Sequence, residues 1–414
     1  MKKLHAGHLY WPTTLENPEV YPTLSTSIKV NTAIVGGGIS GSICGYTLAQ
    51  SGISAAVFER GSVAGGSTSA NTGLLQFSND VMLSELIDQI GEHDAVRFYS
   101  ACKTAVEQLG NLAEKLPVEV GFRTRNSLYY ASSEQDLPKL IKEYETLRDN
   151  GFDVSFWGPD DIMAHFPFQK SGAIVTGGDA EVNPLQFVQA VADAAVSNGL
   201  QIYENTDIVA HEALSNGKHL LRTSGGLEVE ADHVIFAIGY EPEELRGQLV
   251  KAEINRSFAA VTGVQDKAAL RSWHDDYLIW ETARPYLYMR TTIDGRIIIG
   301  GLDEASEQPI EGETARHRRT DKLQEQILAH FPDLSAPLEY EWSATFGESR
   351  DNLPFIGEDP AIPGVYYCLA YGGNGTVYSM IAANILRDSI IGSQHPIADI
   401  VRLDRPSYID NSKE

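Results

Sequence analysis

Residues 32–41 read Thr32-Ala33-Ile34-Val35-Gly36-Gly37-Gly38-Ile39-Ser40-Gly41. An apolar-periodic stretch then runs to Gly52, followed by Ala55-Ala56-Val57-Phe58-Glu59. In order, this is strand, glycine turn, helix, strand and terminal acid, the unit that seats the pyrophosphate and ribose of a dinucleotide. The unbroken apolar run before the glycines suits a parallel strand covered on both faces. Gly36 permits the sharp turn, Gly38 keeps side chains away from the phosphates, and Gly41 lets the helix lie close to the strand. The helix start presents unpaired N–H groups and a positive dipole end to an anion. Glu59 follows Gly36 by 23 residues, near the roughly 20 expected of the acid that accepts ribose hydroxyls. Its carboxylate would repel a 2′-phosphate. A glycine turn alone often binds nothing; the joint register of strand, helix, second strand and acid is what points to a dinucleotide.

The composition narrows the class. The 414 residues carry 56 Asp plus Glu against 32 Lys plus Arg, a net charge of −24. Such a surface repels nucleic acid and anionic membranes, so neither is an expected partner. Cys44, Cys102 and Cys368 lack metal-ligand spacing and are too few for a disulfide framework; they read as small buried hydrophobes. The start Met1-Lys2-Lys3-Leu4-His5 continues into polar and Pro-rich sequence with no signal-peptide core. No stretch approaches the ~18 uninterrupted apolar residues of a membrane span. The expected location is the cytoplasm. The histidines are scattered, with His5 and His8 the one close pair, so no metal site is expected. Arg316-His317-Arg318-Arg319 reads as a solvated helix start.

Outward from the glycine turn, residues 1–30 read as an extended arm that packs on a neighbour or stays mobile. Leu83, Leu86, Ile87, Ala95, Phe98, Ala101, Ala105 and Leu109 recur at helical spacing, as cap helices or ordinary core helices. Ser127-Leu128-Tyr129-Tyr130 and Gly172-Ala173-Ile174-Val175 are expected strands. Asn183-Pro184 starts a helix with a good N-cap and a proline at its first position. Val234-Ile235-Phe236-Ala237-Ile238-Gly239 can close the nucleotide-binding sheet. Asp294-Gly295 is a hairpin turn between Tyr286-Leu287-Tyr288-Met289-Arg290 and Arg296-Ile297-Ile298-Ile299. Gly372-Gly373-Asn374-Gly375-Thr376 opens a last apolar helix.

With these segments in order, the sequence resembles the D-amino-acid oxidase superfamily of flavoenzymes, which includes glycine oxidase, sarcosine oxidase and γ-glutamylputrescine oxidoreductase. Four passages carry the resemblance: the Gly36–Gly41 turn with Glu59; Gly65–Gly73 (GGSTSANTG); Tyr286–Gly301 (YLYMRTTIDGRIIIGG); and Asp351–Gly357 (DNLPFIG) with Tyr371–Gly375 (YGGNG). It implies an α/β (α+β) protein in which a Rossmann-like FAD-binding domain (31–80, 170–250 and 340–395) interleaves with an antiparallel-sheet substrate domain carrying cap helices (81–169 and 251–339). An arm (1–30) and a tail (396–414) flank them.

The cofactor implied is FAD. The implied contacts begin with Gly36, Gly38, Ile39, Ser40, Gly41, Glu59 and Arg60. They continue with Gly66, Ser67, Asn71, Thr72 and Gly73 on a loop that in relatives passes beside the flavin, though alone it reads as a surface turn. Val209 and Gly239 follow, and then Gly372, Gly373, Asn374, Gly375 and Thr376. In relatives the helix opened by these last residues aims its N-terminus at the flavin pyrimidine edge, where a positive end stabilises the charge left by an arriving hydride. The chemistry implied is hydride transfer from a carbon bearing an amine nitrogen, giving an imine that water hydrolyses.

Arg290 matches a hairpin arginine that clamps substrate carboxylate in amino-acid-oxidising relatives; the alternative is a strand arginine in a structural ion pair. Tyr286 and Tyr288 share its strand face and either line the pocket or fill the core. Relatives attach flavin to a cysteine seven residues before the match of Asp351, where this chain has Ala344, or to a histidine in the Gly65–Gly73 region, which has none. FAD is therefore expected to be non-covalent. The oxygen-activating lysine of sarcosine oxidases falls at Ile298, leaving oxygen or another acceptor open, and a second carboxylate-binding arginine falls near Phe346. That favours a larger or secondary amine over a simple amino acid. The competing functions are an NAD-dependent Rossmann dehydrogenase and a non-catalytic flavin-binding electron-transfer subunit.

Overall fold

The computed structural model describes residues 3–239, 252–334, 337–369 and 371–405. Residues 1, 2, 240–251 and 406–414 of the expected arm, domains and tail lie outside the described residues, Ala252 excepted for its backbone.

Two sheets organise the chain. In the smaller, Ile28–Val35 is flanked by Ala55–Phe58 and Glu228–Gly239, and next to these come Gln201–Tyr203 and Val365–Leu369. All four of these pairings are parallel, and Phe355–Glu358 adds an antiparallel strand beyond Val365–Leu369. The strand ending at Gly239 thus lies beside the first strand, inside the sheet and not at its edge. Alternate residues of these strands go to opposite cores. Ile34, Val57 and Ile235 pack under helices with Ile43, Val188 and Ile381; Ala33, Val35, Ala56, Phe58 and Phe236 pack with Ile208 and Leu221 of a covering hairpin. Burial on both faces explains why these strands read as continuous apolar runs.

The larger sheet is mainly antiparallel and ten-stranded. Its middle is built from Ala252–Thr262, Leu338–Ser349, Ile297–Ala305 and Leu287–Thr291. The hairpin turn falls where expected, with Gly295 at φ +79 and its N–H donating to the Thr292 carbonyl at 2.9 Å. Two strands cross the expected boundaries: Ala173–Glu181 pairs with Arg123–Tyr130, and Leu338–Ser349 runs as an inner strand, so segments placed with the FAD domain at 170 and 340 begin in the large sheet. The Ala173–Val175 run resembles those of the parallel strands because it too is buried on both faces, Ala173 and Val175 in one core and Ile174 in another.

The arm packs on its own chain. His5–His8 adds an edge strand, with His5 opposite Ala344. Tyr10 and Trp11 are buried, and the Trp11 indole N–H donates to the Asn71 carbonyl at 2.6 Å. At the other end, Arg405 is buried against Asp351 at 2.8 Å.

Three helices cover one face of the small sheet: Ile39–Gln50, Pro184–Ser197 and Gly375–Ile390. Asn183 caps the second, accepting from the Gln186 N–H at 3.1 Å. The cap segment Glu92–Lys115 lies against the third, with the Phe98 and Tyr378 rings 5.8 Å apart. Among the described residues, no helix is long and apolar enough to cross a membrane, and no group of His, Cys, Asp or Glu is arranged to hold a metal.

Candidate active site

A cavity of about 490 Å³ lies between the two sheets. The small sheet contributes Val35, Phe58, Ile208 and Ala237; the large sheet contributes Ser257, Trp280, Tyr288, Asp303, Thr345 and Phe346. The glycine turn and the Gly372–Gly375 turn both open onto it.

The glycine turn is built as its residues require. Gly36 has φ +104, and a Cβ there would lie 2.5 Å from the Ala237 carbonyl oxygen. At Gly41 a Cβ would lie 1.9 Å from the Gly36 carbonyl oxygen, so Gly41 permits the close helix approach while standing behind the cavity wall. Glu59 lines the cavity and accepts from the Gly37 N–H at 2.7 Å and the Gly61 N–H at 2.8 Å. Thr68, which sequence reasoning passed over, accepts from the first helical N–H, that of Ile39, at 3.0 Å. It had no signal beyond its place in a polar loop.

Two helix N-termini converge on this space, joined by a 2.8 Å hydrogen bond between Ser40 Oγ and Ser379 Oγ. The 3-10 turn Gly372–Asn374 leads directly into Gly375–Ile390. The Asn374 amide donates to the Gln76 carbonyl and Asn79 Oδ1 at 3.0 and 3.1 Å, which fixes the turn. Thr376 is buried behind the lining residues, and its hydroxyl has no partner among the described residues.

Most of the expected cofactor contacts therefore come together. Gly36, Gly38, Ile39, Ser40, Glu59, Arg60, Gly66, Ser67, Asn71, Thr72, Val209 and Gly239 line one cavity with Gly372, Gly373, Asn374 and Gly375. Gly41, Gly73 and Thr376 stand behind its wall. At Gly73 the reason is packing: a Cβ would sit 2.2 Å from the Val182 carbonyl oxygen and 2.7 Å from an Arg290 nitrogen.

Of the two roles the sequence left open for Arg290, carboxylate clamp or strand arginine in an ion pair, its surroundings match the second. Arg290 is 2% exposed and absent from the cavity wall. Its Nε donates to the Thr72 carbonyl and one Nη to the Val182 carbonyl, each at 2.9 Å, while the other Nη lies 3.3 Å from Glu181. Burial of this charge without a partner would be costly, and Glu181 offsets it. The guanidinium thus ties the loop at 72 to the strand ending at Glu181. Tyr286 and Tyr288, by contrast, line the cavity. The glycine pair at 300–301 explains where the Tyr288 ring goes: a Cβ at Gly300 would lie 2.3 Å from its hydroxyl oxygen. Burial pushes the Tyr288 phenol up to about 12 and the Tyr286 phenol well above its ordinary range.

Sequence reasoning also missed three acids. Asp80 and Asp303 line the cavity, and Glu348 lies beside the Gly372 turn. Burial first, and then repulsion from neighbouring carboxylates, pushes Asp303 up to about 6 and Glu348 up to about 7. They come from separate elements, with no shared motif. The two positions where relatives carry functional side chains, Ala344 and Phe346, do line the cavity, whereas Ile298 is fully buried away from it.

Comparison with known proteins agrees with this geometry. The family model described as FAD dependent oxidoreductase (DAO) matches residues 31–389. The chain is 24% identical to glycine oxidase of Geobacillus kaustophilus over 378 residues, covering 87% of this chain and 93% of that protein. It is 21% identical to gamma-glutamylputrescine oxidoreductase of Escherichia coli over 396 residues, covering 92% and 88%. The crystal structure of the Geobacillus kaustophilus glycine oxidase superposes with a TM-score of 0.78 at 20% identity, covering 91% of this chain and 99% of that one.

Proposed function

Because the chain belongs to the FAD dependent oxidoreductase (DAO) family, we propose that it oxidises the carbon–nitrogen bond of an amino acid or secondary amine to an imine, with FAD held non-covalently in the cavity between the sheets. The observation that carries this reading is one continuous cavity. It joins a dinucleotide turn, two helix N-termini and an aromatic, carboxylate-bearing wall.

The residues fit the cofactor. The Gly36–Gly41 turn and Glu59 would hold the pyrophosphate and ribose. Val209 and Gly239 would border the adenosine side. The start of helix Gly375–Ile390 would face the flavin ring, with Gly375 on the cavity wall. FAD supplies the two-electron acceptor when bound. Among the described residues no cysteine or histidine lines the cavity, which supports a non-covalent cofactor. We assign Arg290 to holding the wall and Tyr286 and Tyr288 to contacting substrate. The amine must lose its proton before its carbon can give up hydride.

The test is turnover of an amine panel (glycine, sarcosine, proline, D-amino acids and polyamine derivatives) in air and with an artificial electron acceptor, scored by carbonyl product. Carbonyl formation with at least one amine is expected. No lysine lines the cavity, so the artificial acceptor should outpace air. A flavin-loaded protein that forms no carbonyl from any amine with either acceptor contradicts the reading, and nicotinamide-dependent turnover of a colourless protein would replace it.

A further inference from the structure

The large-sheet side of the cavity carries negative charge and aromatic rings, and among the described residues no arginine or lysine lines it. Arg60, the cation on the cavity wall, adjoins Glu59 at the nucleotide turn. Asp80 and Asp303 face this side, and Glu348 stands behind the Gly372 turn. The nearby cation, Arg284, is exposed. Its guanidinium donates to the Asp80 backbone carbonyl at 2.8 Å and lies over the Tyr286 ring at 4.9 Å, so it covers the outer edge of the set.

Three rings frame the same space. Trp280 and Tyr286 meet edge-on at 6.4 Å, and Tyr286 and Tyr288 are tilted at 5.8 Å. Tyr129 stacks behind Trp280 at 3.7 Å and fixes its plane. Aromatic faces beside carboxylates recognise ammonium groups.

Two polar atoms here also lack partners. Trp280 is 5% exposed and its indole Nε1 has no acceptor among the described residues. Asp303 Oδ1 has no donor, although the Ser257 hydroxyl serves the same carboxylate. An unpaired buried carboxylate oxygen costs stability unless a ligand completes it. Elsewhere in the same sheet the chain does complete such a group: Asp179 receives Ser127, Thr176 and the Phe77 N–H at 2.6, 2.7 and 3.0 Å.

We propose that this wall selects a substrate bearing a positive charge beyond the reacting nitrogen, a diamine or polyamine derivative, with Asp303 and Asp80 holding the second ammonium between Trp280, Tyr286 and Tyr288. This rests on the amine-oxidation reading and adds its charge class. An amino-acid carboxylate would meet the same acids, while Arg290 is turned into the wall and Arg284 stands only at the outer edge.

The test is equilibrium binding to the flavin-loaded protein without oxygen, read by perturbation of the flavin spectrum and by calorimetry. The probes are N-methyl-1,4-diaminobutane, N-methylbutylamine, which lacks the second charge, and sarcosine. The diamine should bind at least about tenfold more tightly than either, and Asp303→Asn should remove most of that preference while flavin content stays at the wild-type level. Asp80→Asn provides a second variant should the first fold poorly. Sarcosine binding as tightly as the diamine, no binding of the diamine, or an Asp303→Asn protein that keeps the full preference would each overturn the proposal. Tight diamine binding without flavin bleaching would leave the charge selection standing and refute amine oxidation; sarcosine that binds best and bleaches would do the reverse.

Discussion

Glu59 and Asp303 are both carboxylates on the wall of one cavity, and they are treated oppositely. Glu59 accepts two backbone N–H groups at 2.7 and 2.8 Å, from Gly37 of the glycine turn after the adjacent strand and from Gly61 two residues on. Asp303 keeps one oxygen unpaired and is pushed up to about 6 by burial and by the Asp80 charge. The cofactor end is finished by its own backbone, while the large-sheet end holds charge that only a ligand can complete. Variants at the two ends should therefore differ in kind: damage at the first removes cofactor, and neutralisation at the second removes ligand selectivity and improves stability.

The largest effect is expected at the nucleotide end. Gly41→Val places a side chain where even a Cβ is 1.9 Å from the Gly36 carbonyl oxygen, so purified protein should be nearly free of flavin by its visible absorbance. A fully loaded variant would break the assignment of this turn. Next is Arg290→Met, which removes the 3.3 Å ion pair to Glu181 and the ties to the Thr72 and Val182 carbonyls, while Glu181 keeps Arg125 at 2.9 Å. Orphaning a buried charge costs about 3–5 kcal/mol, and the remaining Arg125 pair should hold the loss below that, seen as a fall in the denaturation midpoint, with little change in substrate affinity for the folded fraction. Lost affinity at unchanged stability would restore Arg290 as a clamp.

Asp303→Asn should act in the opposite direction on stability. A carboxyl whose native value is raised binds more protons folded than unfolded, so it costs stability as pH rises from about 4 through about 6. Its removal should stabilise the ligand-free protein at neutral pH by about 1–3 kcal/mol, measurable by denaturant titration. The same acids set the pH dependence of binding. Affinity for a diamine should rise as Asp303 ionises near 6 and Glu348 near 7, and level off above that. Affinity that falls over this range would separate these acids from the ligand. The smallest effect is expected for Tyr288→Phe, which keeps the ring face: diamine affinity should change less than about threefold, while Tyr288→Leu should cost more.

How far the sequence speaks follows the same division. The glycine turn, its helix and Glu59 were legible because the partners are neighbours in the chain and each residue type answers one steric demand. The hairpin at Asp294-Gly295 and the helix cap at Asn183 were legible for the same reason. The role of Arg290 was not, because its partners Thr72, Glu181 and Val182 come from distant segments and meet only across the sheet. Nor were Asp80, Trp280, Asp303 and Glu348. Each stands in an unremarkable local context, and only the folding of separate strands and loops against the Gly372 turn makes them one wall. Asp303 carried the faint signal of a charge two residues after Gly301, where a strand that opens apolar turns acidic.

The most direct measurement is a single reductive half-reaction: flavin-loaded protein mixed with an amine panel in the absence of oxygen, followed by the flavin absorbance band. Loss of that band with release of one carbonyl product per flavin is expected for at least one amine. A flavin that stays oxidised with every amine, yet is reduced by dithionite, would contradict amine oxidation at this cavity.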